Sequence, residues 1–166
     1  MLKSLFAGIS AIIFLQTALG AEAEIVGSIQ PKCSIHTDAN GFYATPTPYT
    51  LSTLSNDGGS PAIVRYDVVE AGYYKAVITV PNSFTQSPVL TDSITWTGEV
   101  SVNQVTDAAM SAYDTDKRIQ NNVTEFDLTV AGSVWFKASS TASYGYNKAL
   151  PSGTYKAVVT AECVAL

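Results

Sequence analysis

Few residues of this chain combine in the patterns that catalysis requires. Its 166 residues include one histidine, His36, so a Ser-His-Asp triad would have to use His36 as the base. No G-x-S-x-G motif supplies a nucleophile at a strand-to-helix turn. The alternating stretch Ser34-Ile35-His36-Thr37 indicates a histidine on the surface of a strand. The sequence therefore predicts that the protein is not an enzyme.

Binding chemistry has three further candidates. Asp114-Thr115-Asp116 offers oxygen ligands for calcium but lacks the rest of a ligand loop, so we predict no metal and no cofactor. Asn122-Val123-Thr124 is a glycosylation sequon, which matters only in a eukaryotic secretory host. A platform of turn-flanking tyrosines could stack on sugars, which makes a secreted carbohydrate-binding β-sandwich module the alternative function. These tyrosines are Tyr43, Tyr49, Tyr144 and Tyr146.

Composition and charge exclude other classes of protein. The formal net charge is −5 with nine Lys and Arg residues, whereas a nucleic-acid partner requires clustered positive charge. Hydrophobic residues make up 46% of the chain, enough to form a core. The length and composition predict a single folded domain and no nucleic-acid partner.

The first 20 residues predict a secretory signal peptide. Lys3 is followed by the apolar run Leu5–Leu15, which is shorter than the roughly 20 residues that a membrane-spanning helix needs. Small residues allow cleavage after Gly20 or after Ala23. The expected product is exported, with an N-terminal segment at 21–30 and a folded domain at 31–166.

Export also bears on the two cysteines, Cys33 and Cys163. An oxidising compartment favours a disulfide between them, and the alternative is two buried thiols that never meet. The absence of a C-x-x-C spacing argues against a redox-active pair.

The elements that must position these residues are strands. Apolar and polar residues alternate through Ile94–Val102, Ala62–Val68 and Glu125–Val130, and turn residues separate such stretches. This pattern predicts an all-β antiparallel sandwich. The stretch Asp107–Gln120 lacks the alternation and indicates either a polar loop, which we favour, or a short helix capped by Asp107.

Both ends of the predicted mature chain also alternate. The last strand is predicted from Thr154 to Ala165, with the apolar side chains of Tyr155, Ala157, Val159, Ala161 and Cys163 on one face. Its start, 153–160, matches 72–79 at six of eight positions, which we interpret as a shared strand motif. Pro31 separates an alternating segment at 21–30 from the domain proper.

Taken together, these features resemble the pilin subunits of bacterial chaperone–usher fimbriae. The resemblance rests on the signal peptide, the alternating segment with Gly27, the run Leu150-Pro151-Ser152-Gly153-Thr154-Tyr155 and the final strand. There are two departures: Ala165 stands where many members have a penultimate tyrosine, and a Cys33–Cys163 bond would join the first and last strands instead of the first two.

The resemblance implies an immunoglobulin-like sandwich that lacks one strand. A periplasmic chaperone fills the vacancy in transit through the periplasm, the outer-membrane usher assembles the subunits, and the segment of the next copy or of a related pilin then replaces the chaperone. The product is an extracellular fimbrium on the cell surface, and a glycan on a host or other surface is a further candidate partner. The resemblance makes Ala23, Ile25, Gly27 and Ile29 the inserted donor face, and Gly153, Tyr155, Ala157, Val159 and Ala161 the acceptor groove. Alternatively, residues 21–30 are the first strand of their own domain.

Overall fold

The alternating segments form the strands of two antiparallel sheets in a computed structural model that describes Glu24 and residues 32–166. The predicted signal peptide and the donor residues Ala23, Ile25, Gly27 and Ile29 lie outside the described residues. In the described part, no helix is long and apolar enough to cross a membrane.

The strands of the described part are numbered in chain order. They are β1 (Cys33–Ala39), β2 (Ala44–Thr47), β3 (Thr50–Ser52), β4 (Ala62–Val68), β5 (Tyr74–Thr79), β6 (Ile94–Val105), β7 (Arg118–Gln120), β8 (Val123–Asp127), β9 (Gly132–Tyr144) and β10 (Thr160–Ala165). A short helix, α1, spans Tyr113–Asp116, and 3-10 turns lie at Ser55–Asp57, Ala108–Ala112 and Gly145–Asn147.

The long strand β9 organises the first sheet. One edge of β9 pairs with β6, while its other edge pairs first with β4 and then with β3. Strand β1 adds to β4, and β2 adds to β3. The second sheet has the order β10-β5-β8-β7. All of these pairs are antiparallel, so the predicted all-β sandwich is confirmed.

Six of the ten described strands follow the strand order of an immunoglobulin constant domain. In chain order, β1, β4, β6 and β9 occupy the places of strands A, B, D and E, and β5 and β10 occupy those of C and F. The seventh strand, G, would pair with β10 on the edge away from β5. No described residue pairs with β10 on that edge.

Aromatic side chains from three strands build the core between the sheets. The ring centroids of Tyr66 in β4 and Phe136 in β9 are 5.6 Å apart, and Phe126 in β8 lies 4.3 Å from Phe136. All three side chains are buried. Two of them, Tyr66 and Phe126, belong to the apolar faces that the alternation predicts.

Cys33 and Cys163 form a disulfide, as predicted, with their Cα atoms 6.4 Å apart. The bond ties the first strand of one sheet to the last strand of the other across 130 positions of sequence.

The predicted extent of the last strand is wrong at its start, because β10 begins at Thr160 and not at Thr154. Strand β5, its only described neighbour, ends at Thr79 and is followed by Val80 and Pro81. Among the described residues, 154–159 therefore have no strand beside them and make one bridge, between Lys156 and Gln86. Their side chains still alternate between exposed and partly buried, so the chain is extended there.

The preferred interpretation of Asp107–Gln120 as a loop is also wrong. The stretch contains a 3-10 turn and α1, and the side chain of Asp107 accepts a hydrogen bond from the N–H of Ala109 at 2.8 Å. This is the capped-helix alternative. The short strand β7, at the end of the stretch, is a further element that the alternation did not indicate.

Candidate functional site

The two long sides of the sandwich differ in how they are closed. On one side, residues 107–117 cross from β6 to the second sheet and bury Met110 and Tyr113 in the core. On the other side, β1 and β10 belong to different sheets and are joined at one end by the disulfide. Beyond that end, the space between them widens into a groove.

The groove has a volume of about 480 Å³. One wall is the end of β1 with the following loop, and the other is the extended segment 156–159. The floor belongs to the inner face of the first sheet and includes Val64 and Ala138, which are buried core residues. A strand placed here would lie beside the extended segment 156–159 that leads into β10, on the side where the immunoglobulin fold has its strand G.

A second depression of about 400 Å³ continues from the first, and Tyr43 borders both. Leu51 and Tyr155 line it, and the ring of Tyr155 packs against Phe84 with the centroids 5.1 Å apart. Phe84 in turn contacts Trp96 at 4.7 Å. An aromatic cluster therefore supports this end of the groove.

The predicted acceptor residues are distributed along this path. Ala157 and Val159 line the first depression, and Gly153 and Tyr155 line the second. Ala161 lies in β10, lines neither depression and packs against the core. Four of the five predicted residues thus face one continuous groove, and Ala161 lies beside its closed end.

Gly153 lets the backbone of the groove wall adopt a turn that other residues rarely allow. Its φ is +151°, a conformation that residues with a side chain rarely adopt. A Cβ atom at this position would also lie 2.5 Å from Cγ of Pro88. Glycine is therefore needed here because of the turn and its contact with Pro88.

Three polar side chains that line the groove are already paired with one another. The hydroxyls of Tyr43 and Ser140 are 2.6 Å apart, and Oγ1 of Thr53 donates to the carbonyl oxygen of Ser140 at 3.2 Å. Burial raises the pKa of Tyr43, so the phenol stays neutral. The floor thus suits an occupant with apolar side chains, whose own main chain would have to bind the free edges at the walls.

His36 does not form a catalytic triad. Its Nε2 lies 3.3 Å from Oδ2 of Asp67 and 3.4 Å from Oγ of Ser34. Both contacts use the same ring nitrogen, whereas a triad base binds its nucleophile and its orienting carboxylate through different nitrogens. His36 lies on the exposed face of β1, as the alternation predicts.

The other chemical candidates have structural partners. Asp114 accepts hydrogen bonds from the N–H of Val102, and Nδ2 of Asn122 donates to the carbonyl oxygen of Val80. Within the described residues, no group of three or more His, Cys, Asp and Glu could hold a metal ion.

The four turn-flanking tyrosines do not form one exposed platform. Tyr144 is buried and its hydroxyl contacts Thr91, Tyr43 belongs to the groove, and Tyr146 is almost fully exposed. The prediction of a sugar-stacking surface that includes Tyr144 is therefore wrong.

Sequence reasoning missed the opposite wall of the groove and its aromatic support. Thr37, Gly41 and Tyr43 form the wall, and Phe84 lies in an irregular loop. The one pattern in the sequence that pointed to the groove was the alternation in β4, which places Val64, a floor residue, on the same face as Tyr66.

No protein-family model matches this chain, and neither a curated protein nor a solved structure gives a significant match.

Proposed function

We propose that this protein is a structural subunit of a bacterial surface filament that polymerises by strand exchange. Residues 21–30 of one copy enter the groove between β1 and β10 of the next copy. The observation that carries this proposal is the open groove beside the extended segment 156–159, which leads into β10, together with an outer edge of β10 that no described residue pairs with. This is the place where an immunoglobulin sandwich has its seventh strand.

The alternation in the N-terminal segment matches what such a groove can accept. Side chains on one face of a strand are about 6.6 Å apart, so Ala23, Ile25, Gly27 and Ile29 would cover about 20 Å. Main-chain hydrogen bonds to β10 would provide affinity, and the alternate side chains would pack on the floor. Gly27 would let the two backbones approach closely.

Strand direction separates exchange between copies from folding within one copy. Residues 21–30 directly precede β1, and Cys33 at the start of β1 is bonded to Cys163 near the end of β10. If the segment turned back into its own groove, it would run parallel to β10. The segment of another copy is free to run antiparallel to β10, which is the slightly more stable pairing.

A pair of single substitutions tests the exchange in the full mature chain. Ile25→Asp places a charge on the inserted face, whereas Val26→Asp places the same charge on the opposite face. We expect Ile25→Asp to reduce heat-resistant oligomers at least about tenfold, because burying a carboxylate costs more than the 1.4 kcal/mol that corresponds to tenfold. Val26→Asp is the matched control and should assemble normally.

Deletion of residues 21–30 gives the complementary test. The shortened chain should form no heat-resistant oligomers, and a synthetic peptide of residues 21–30 should raise its unfolding temperature. A peptide carrying Ile25→Asp should not. Persistent oligomers in the shortened chain would show that the segment is not the donor.

The proposal includes the export route and its partners. The chain would cross the periplasm with a chaperone strand in the groove and reach the cell surface through an outer-membrane usher. The open groove supports this need for a chaperone, because an uncovered apolar groove beside a free strand edge promotes aggregation. With Tyr144 buried, no observation favours the alternative of a carbohydrate-binding module.

A further inference from the structure

On the edge of β6 away from β9, two side chains from the crossover between the sheets bind two backbone groups. The N–H of Val102 donates to Oδ1 and Oδ2 of Asp114 at 3.0 and 3.1 Å. Nζ of Lys117 donates to the carbonyl oxygen of Val100 at 2.8 Å. Because β6 pairs with β9 on its other edge, these backbone groups are the ones that an added strand would bind.

The crossover is built to hold these two side chains in place. Met110 and Tyr113 anchor it in the core, and the hydroxyl of Tyr113 accepts a hydrogen bond from the N–H of Val130 at 3.0 Å. Asp114 and Lys117 also form an ion pair at 3.5 Å, and the side chain of Lys117 is only 14% exposed. We call Asp114 and Lys117 the edge clamp.

We infer that the edge clamp prevents β6 from pairing with β6 of a second copy. Strand β6 has 12 residues and is the longest edge strand in the described part of the chain. Two identical edges can pair antiparallel around a two-fold axis, which would join copies side by side. The clamp occupies two hydrogen-bonding groups of this edge, the N–H of Val102 and the carbonyl oxygen of Val100, whereas no described residue pairs with the outer edge of β10.

This inference does not depend on the proposed function. The clamp acts on β6, on the opposite side of the sandwich from the groove. It would prevent lateral pairing whether or not residues 21–30 enter a neighbouring groove.

The experiment uses the full mature chain with a photo-cross-linking amino acid at Asn103, an exposed position of β6. The clamp is removed by Asp114→Ala with Lys117→Met. We expect cross-links between the β6 strands of two copies to rise about tenfold, since a charged hydrogen bond shifts an equilibrium by at least that factor. Oligomers that form by strand exchange are counted separately, because they are the ones that resist heat.

The matched control removes another carboxylate–ammonium pair. Asp92 and Lys148 are 2.6 Å apart and lie outside the strands, so Asp92→Ala with Lys148→Met should leave cross-linking unchanged. Asp114→Asn keeps an oxygen acceptor for the Val102 N–H and should also stay near the wild-type level. The inference would be overturned if the variant without the edge clamp kept a native near-ultraviolet circular dichroism spectrum and showed no increase in cross-linking.

Hydrogen exchange in the wild-type chain keeps the inference testable if the clamp variant does not fold. The amide of Val102 should exchange slowly, although it lies on an edge strand without a neighbour on that side. Fast exchange of Val102 in the folded wild-type protein would mean that Asp114 does not hold it, and the inference would fail.

Discussion

At the scale of single residues, Gly153 illustrates how one backbone conformation shapes the groove wall. Its φ of +151° and the proximity of Pro88 leave no room for a side chain. Gly72 offers a comparison, because its φ is also positive, at +81°, but no atom lies within 4 Å of where its Cβ would be.

We therefore expect Gly153→Ala to destabilise the protein more than Gly72→Ala. The Gly72 variant carries only backbone strain, about 1 kcal/mol, while the Gly153 variant adds a steric clash and should lose about 2–3 kcal/mol. Urea unfolding measures both values. Equal losses would show that Pro88 does not restrict position 153.

The hydroxyl of Tyr66 is a second residue-scale feature, because it connects the two sheets. Its hydroxyl donates to the carbonyl oxygen of Glu162 at 3.1 Å, which links β4 in one sheet to β10 in the other. Tyr66→Phe should cost about 1 kcal/mol, because it removes this hydrogen bond between the sheets. Tyr146→Phe, at an exposed position, should cost nothing measurable.

Tyr66 also predicts a dependence on alkaline pH. Burial raises the pKa of Tyr66 above the ordinary value of 10.0. Its contribution to the free energy of unfolding is therefore complete below pH 10 and is lost as the pH rises beyond that value. Tyr66→Phe should lose less stability than wild type between about pH 10 and pH 11, measured by urea unfolding; parallel losses would contradict the assignment.

At the scale of elements, ion pairs across β5, β7 and β8 cover the outer face of the second sheet. Nζ of Lys75 lies 3.0 Å from Glu125, and Arg118 lies 2.7 Å from Asp127. The hydrogen bond from Lys75 lowers the pKa of Glu125, and that from Arg118 lowers the pKa of Asp127. These pairs connect three strands, including the short edge strand β7.

The double variant Glu125→Gln with Asp127→Asn should show an acid dependence. The ordinary pKa values are 4.5 and 3.8, so the stabilisation is present above these values and is lost as the pH falls through the lowered ones. Wild type should be more stable than the variant at about pH 7, and the difference should vanish near pH 2. Urea midpoints at both pH values test this, and a constant difference would refute it.

At the scale of the whole molecule, the described residues bind part of the outer edge of β6 and leave a groove beside the segment that leads into β10. The N–H of Leu166 donates to the carbonyl oxygen of Tyr73 at 3.0 Å, so the end of β10 is held at the disulfide end of the groove. A segment attached after Leu166 by a short linker could turn back and run antiparallel to β10.

We therefore expect a chain that carries residues 21–30 after Leu166, and lacks them at its N-terminus, to fill its own groove. It should be monomeric in gel filtration and unfold at a higher temperature than the chain that merely lacks 21–30. The same fusion with Ile25→Asp in the transplanted copy is the control. Equal unfolding temperatures for the two fusions would indicate that the groove does not bind this segment.

The sequence by itself determined the class of fold and the inner faces of the main strands, and it favoured a bond between the two cysteines without excluding free thiols. The alternation around Tyr66 and Phe126 was sufficient, since burial of one face requires apolar residues at every second position. The polarity of His36 and its neighbours likewise placed that residue on an exposed face.

Only the tertiary structure decided where strands end and which edge stays open. Residues 72–79 and 153–160 share six of eight positions, yet one contains strand β5 and the other contributes only Thr160 to β10. A strand is completed by hydrogen bonds to a neighbour. Strand β5 has paired strands on both edges, whereas the only described bridge of residues 154–159 joins Lys156 to Gln86. The edge clamp and the open groove depend on the same kind of information, because both are set by residues far apart in the chain.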